Sequence, residues 1–357
     1  MEQWQYQMQN FVNTIDKLEK FINITQEERE AIASTNTKWG TTPYFAGLMD
    51  RDDPNCPIRK QVIPSPREKV NRYGIENYLI YKENRSNEEK RPDTIARQYH
   101  DRIAFTVMNI CANYCRHCFR KELVVDESLH FNFNVDEGLA WIREHNEIRD
   151  VLITGGDPLL LANDKLEYII SKLRDIPHIE MIRFGSRVPI VLPHRITDGL
   201  LKVLGGFHKV PIWLNTQCNH AKEITEQTAE AVYKLMTAGV NVGNQAVLLK
   251  GINDDKKSFK ELHQKLLTVR IRPYYVFYCE PAPGIDHFRT PVEKGAELIR
   301  DCLRGHTTGL AQPMYVMATN IGKIPLMPDY YIMDKNEEEY TLKNYKGQIT
   351  KIPNIPE

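Results

Sequence analysis

Three cysteines stand within eight residues of one another in the segment CANYCRHCFRKE, at Cys111, Cys115 and Cys118. Thiolates are soft ligands suited to iron–sulfur clusters, and a short loop can wrap several of them around one cluster. Three cysteines on a four-iron cluster leave one iron without a protein ligand. That open position can take a substrate or cofactor, whereas a closed four-cysteine site mainly carries electrons. Two other readings fit the spacing: a three-cysteine zinc site completed by His117 or a distant residue, and a chance set of buried thiols. Cysteines this close favour metal ligation over disulfide pairing, and seven in 357 residues are too sparse for a disulfide scaffold. A reducing, cytoplasmic location is expected.

Other residues offer chemistry with an ordinary alternative beside each. Gly155, Gly156 and Asp157 follow the strand-like run VLIT. Glycines there let backbone approach a ligand closely, or they make a plain strand-to-helix turn with Asp157 as its cap. Arg120, two residues past the last cysteine, has the fork that holds a carboxylate, or is a surface arginine beside Arg116 and Lys121. Lys323, in NIGKIPLMP, reads as a solvated loop lysine unless a cavity lowers its pKa enough for nucleophilic chemistry.

The elements that must position these groups form two regimes. From Ile103 onward strand-like runs appear at 103–108, 151–154, 181–186, 211–217, 240–249 and 272–278. Helix-like segments lie between them at 135–146, 164–174, 196–205, 223–237 and 256–267, and another follows at 292–304. Units of about thirty residues that alternate in this way predict βαβ crossovers and a parallel sheet, either a partial barrel or an open doubly wound sheet. Reactive groups should gather where its strands end. A further strand-like run covers 314–318, then a Gly-Lys loop and a polar tail with turn residues at Asn344 and Gly347.

The first hundred residues read as helical and irregular. Phe11, Ile15, Leu18 and Ile22 recur at helical spacing, and Thr25 with Glu28 forms a capping box opening a second helix. The proline-rich residues 50–66 read as an extended arm, and the charged stretch 83–94 as a loop. Lys+Arg and Asp+Glu both number 47, which removes the basic footprint of a general nucleic-acid binder. No apolar run approaches 18 residues and the N-terminus lacks secretory-signal character, so no membrane association is expected.

The C-x3-C-x2-C spacing is the signature of the radical S-adenosylmethionine (SAM) superfamily, in which the unique iron chelates SAM. CRHCFRKE, ITGGDPLLL, FGSRVPIVLPHRIT, WLNTQCNH, GNQAVLLKGIND, RPYYVFYC, HFRTPVEKG and LRGHTTG, in that order, resemble the lysine 2,3-aminomutase family over nearly the whole chain. The resemblance implies an α/β fold, a partial (β/α)6 radical SAM barrel at 98–310. A helical extension and arm would precede it at 1–97, and a small C-terminal extension would follow at 311–357. It also implies a [4Fe–4S] cluster, SAM and pyridoxal 5′-phosphate (PLP), and migration of an amino group from C2 to C3 of an amino acid. A 5′-deoxyadenosyl radical would abstract and return the hydrogen.

Carried over by resemblance, Gly155, Gly156 and Asp157 would serve SAM, Gln245 its ribose, Arg120 the substrate carboxylate and Lys323 the PLP. Tyr99 and Arg102 would hold the PLP phosphate, although Gln98 stands where the family has an arginine. Lysine-specific members hold the distal ammonium with two aspartates. The first matches Glu280 and the second Ala318, with Asn320 available nearby. The substrate is therefore an amino acid whose identity stays open. A one-electron donor such as flavodoxin or ferredoxin and a homo-oligomer are also implied. Three other readings remain: a relative that makes (R)-β-lysine for an elongation factor, a family member with other PLP chemistry, and a zinc protein without catalysis.

Overall fold

The computed structural model describes residues 1–76, 78, 91–125, 133–327, 332–344 and 346–353. Its centre is a nine-stranded sheet whose spatial order follows the sequence. The strands are β1 (Ile95–Arg97), β2 (Arg102–Met108), β3 (Asp150–Gly155), β4 (Met181–Gly185), β5 (Ile212–Thr216), β6 (Asn241–Leu248), β7 (Arg272–Tyr278), β8 (Met314–Thr319) and β9 (Gly322–Pro325). Strands β2 to β8 run parallel, while β1 and β9 add antiparallel edges. All six strand-like runs and the seventh at 314–318 are strands, and the sheet curls into a partial barrel.

Burial alternates along β3 and β6, as expected of strands with one row of side chains under helices and the other facing inward. The crossover helices bury a single stripe. Leu166, Ile169, Ile170 and Leu173 are at most 2% exposed, at the i, i+3, i+4, i+7 spacing of one helical face. Each contributes roughly 2 kcal/mol by leaving water. Asn134, Thr197, Thr225 and Asp255 each accept a backbone N–H at the start of such a helix, fixing where the chain turns back toward the sheet.

The N-terminal region departs from its pattern. Thr25 and Glu28 do form the capping box of helix Gln26–Ser34. However, Phe11 to Ile22 is no continuous helix: only Ile15–Leu18 is helical, with Thr14 as its cap. Leu18 and Ile22 still reach the core. The supposed extended arm contains helix Pro57–Val62, because proline at the first helical position forfeits no hydrogen bond. Buried Arg59 in this helix donates to both Glu28 carboxylate oxygens, at 2.7 and 2.5 Å. Burial alone would raise the Glu28 carboxyl, but Arg59 and the Thr25 amide outweigh it and hold it below its usual range. Of the loop expected at 83–94, residues 83–90 lie outside the described residues. The polar tail forms an antiparallel sheet of β10 (Ile332–Lys335), β11 (Glu339–Lys343) and β12 (Ile349–Pro353).

Candidate active site

One cavity of about 370 Å³ runs along the sheet, from the start of β2 to the C-terminal ends of the parallel strands. Its wall carries Cys111, Cys115 and Cys118 from the loop after β2, Gly155, Gly156 and Asp157 from the end of β3, and Gln245 from β6. Arg120, Glu280, Ala318, Tyr99, Arg102 and Lys323 line the same space. Asn320, at the tip of the β8–β9 hairpin, is not part of that wall.

The cysteine loop is tied down on all sides. Its turn is closed by Cys118 N–H donating to the Cys115 carbonyl at 3.1 Å. The Asn113 amide and the Arg187 guanidinium donate to the Cys115 sulfur at 3.2 and 2.8 Å. Desolvation, then the neighbouring Cys115, pushes the Cys118 thiol up to about 11, and desolvation, then Cys118 and Asp157, raises Cys111 well above its usual value. Thiols in such a place lose their protons to a metal centre rather than to water.

A single ion would need its donors converging within roughly 2.3 Å of one point. Among the described residues no three His, Cys, Asp or Glu side chains do so. His117, the alternative zinc ligand, is buried with Nε2 3.3 Å from the Asn219 amide. Burial and then Arg187 lower its pKa to about 3.

The two glycines also serve the packing of the site itself. Gly155 has φ +133°, and a Cβ there would lie 2.1 Å from the Met108 carbonyl oxygen. At Gly156 a Cβ would lie 2.3 Å from the Ile110 carbonyl oxygen. Gly156 N–H donates to Met108 and Asp157 N–H to Ile110, both at 2.7 Å. The glycines let the end of β3 slide under the backbone that leads into the cysteine loop. The Asp157 carboxylate caps this turn: it accepts from the Ser186 hydroxyl (2.6 Å) and the amides of Arg187 (2.8 Å), Val188 (3.1 Å) and Leu159 (3.2 Å). Burial outweighs these donors and raises its pKa to about 6.

Arg120 Nη1 donates to Thr154 Oγ1 at 3.2 Å, and its guanidinium lies 5.3 Å from the Phe119 ring centre. Lys323 is on strand β9 rather than in a loop, paired in register with Ala318. Its backbone N–H donates to the Tyr99 hydroxyl at 2.7 Å. Its Nζ lies 5.8, 5.6 and 5.9 Å from the ring centres of Tyr99, Tyr275 and Phe277. Arg102 stacks 3.8 Å over Tyr99 and pairs with Asp101 at 2.9 Å. Gln98 donates to the Thr319 carbonyl at 3.1 Å, so it anchors the lysine hairpin. Glu280 is 8% exposed and accepts from the Tyr78 hydroxyl at 2.8 Å. Sequence reasoning missed Arg187, Tyr78 and Thr154 as participants. FGSRVP was visible as a motif, but nothing in it says that its arginine turns toward a sulfur.

A curled parallel sheet with C-x3-C-x2-C after its first parallel strand defines a radical SAM enzyme, and residues 105–262 match the radical SAM superfamily. Residues 300–357 match the family described as lysine-2,3-aminomutase. L-lysine 2,3-aminomutase of Clostridium subterminale is 41% identical over 355 residues, covering 97% of this chain and 83% of the relative. The Bacillus subtilis (strain 168) L-lysine 2,3-aminomutase is 43% identical over 356 residues, covering 98% of this chain and 74% of the relative. Glutamate 2,3-aminomutase of Clostridioides difficile (strain 630) is 38% identical over 359 residues, covering 99% and 83%. The chain belongs to the lysine 2,3-aminomutase family of radical SAM enzymes. Membership implies an isomerase that uses a [4Fe–4S] cluster, SAM and PLP. Among the described residues no helix is long and apolar enough to cross a membrane.

Proposed function

We propose that the chain moves the amino group of an L-amino acid from C2 to C3. One observation carries this reading: the three cysteines, Arg120 and Lys323 line a single cavity. Cys111, Cys115 and Cys118 hold the cluster, with the backbone at Gly155 and Gly156 and the Gln245 amide serving SAM. Asp157 fixes the turn that presents the glycine backbone. Lys323 carries PLP, and Tyr99 and Arg102 hold its phosphate. Together these cofactors supply a hydrogen-abstracting radical and a conjugated ring that spreads the unpaired electron. The protein orients the reacting carbons and excludes water. Arg120 holds the substrate carboxylate through two parallel N–H donors. A small one-electron donor such as flavodoxin or ferredoxin reduces the cluster, and the chain works as a homo-oligomer.

The distal end of the pocket reads a cationic side chain, because Glu280 presents a buried carboxylate there and Ala318 presents a methyl group. Asn320 reaches the substrate only if the hairpin tip closes over it. A carboxylate-bearing substrate would meet Glu280 with the wrong sign, at a cost of several kcal/mol. The test is an anaerobic screen of the common amino acids with SAM, PLP and reductant, reading out β-amino products. Lysine or another cationic amino acid is expected to turn over, and glutamate to be inert. SAM cleavage with every amino acid left unchanged would remove the aminomutase reading.

A further inference from the structure

Behind the cysteine loop lies a polar network that the proposed reaction does not use. Arg187, 8% exposed, follows β4 and donates through Nη1 to the Cys115 sulfur at 2.8 Å. Its other end is held by two side chains that are fully buried, Glu223 and Gln61. Nη2 donates to Glu223 Oε2 at 2.9 Å and to Gln61 Oε1 at 2.8 Å, while Nε donates to the Gln217 carbonyl at 3.0 Å. Glu223 is itself fixed: its Oε1 accepts from the Gln61 amide (3.0 Å) and the backbone N–H groups of Asn219 (3.0 Å) and His220 (2.8 Å). Gln61 belongs to the helix Pro57–Val62, so the N-terminal region reaches behind the cluster loop.

A guanidinium is charged at any working pH, and in this position it cannot swing away without breaking several hydrogen bonds. Charged donors at a ligand sulfur, and the net charge near it, are what set an iron–sulfur potential. We propose that Glu223 and Gln61 are positioning residues that clamp Arg187 as a fixed positive charge at the Cys115 sulfur, and that this clamp sets how readily the cluster accepts an electron. The proposal rests on Cys115 being a cluster ligand. The reduction concerned is one electron from dithionite onto the oxidised cluster, with no change in the protein's covalent bonds.

The test is a potentiometric titration of the reconstituted full chain without SAM, followed by EPR of the reduced cluster. Glu223→Gln leaves Arg187 held by Gln61 and the Gln217 carbonyl but with its charge uncompensated, and is expected to move the midpoint upward. Arg187→Gln removes both charge and donor and is expected to move it downward. Should Arg187→Gln fail to fold because Glu223 is stranded, Arg187→Gln combined with Glu223→Gln leaves no buried charge and should still lie below wild type. Opposite signs for the two single variants are the signature, since a merely structural role shifts both one way or neither. Unchanged midpoints, or shifts of one sign, in variants that hold the cluster overturn the clamp and leave the cluster assignment standing. A wild-type chain that takes up no iron overturns that assignment and the clamp with it.

Discussion

Lys323→Ala is expected to abolish amino-group migration, lowering kcat on the order of 10³-fold or more, while leaving iron content unchanged. The size follows from the geometry. Lys323 Nζ sits in the cavity wall among the rings of Tyr99, Tyr275 and Phe277, and attachment of PLP in the proposed reaction requires one such lysine. Its strand is pinned to Tyr99 by a backbone hydrogen bond. Borohydride reduction of the wild-type protein with PLP, then peptide mapping, should label Lys323 alone. Label on another lysine, or a variant with full turnover, would sink the assignment. Iron should be retained because Lys323 lies on β9, whereas the cysteines follow β2.

Gly155→Ala is the second large effect, and it acts through packing. The new methyl group would meet the Met108 carbonyl at 2.1 Å, and φ +133° is a conformation that alanine resists. The two penalties together come to roughly 3 kcal/mol or more. Relief requires the end of β3 or the start of the cysteine loop to move, so cluster uptake should fall with stability. Denaturant unfolding of the metal-free protein and iron counting after reconstitution read the two consequences. Gly309→Ala is the control: a Cβ there meets nothing within 4 Å, and both measurements should match wild type. A Gly155→Ala protein as stable and as iron-rich as wild type would show that the close approach has no such role.

The barrel was legible because strands such as β3 and β6 alternate in burial and most crossover helices carry an apolar stripe behind a capping residue. These signals are local. The N-terminal region has no such regularity: Leu18 and Ile22 are buried by tertiary packing after the helix has ended, so their spacing imitates a longer helix. Lys323 read as a loop residue because its four-residue strand exists only by pairing with β8. Gly155 and Gly156 were visible as special positions, but their neighbours are Met108 and Ile110, some 45 residues earlier. The same holds for Arg187, whose partners Gln61, Cys115 and Glu223 come from three distant segments. Sequence spacing shows which residues can do chemistry; it does not show which long-range partner they meet.

Strand order that follows chain order has a temporal consequence during synthesis. The cysteine loop and the β3 turn beneath it leave the ribosome early, whereas Lys323 belongs to the last strand of the sheet. At roughly 5–20 residues per second, the ~200 residues between Cys118 and Lys323 take on the order of 10–40 s to emerge. The nascent chain can therefore meet the iron–sulfur assembly machinery before Lys323 has been translated.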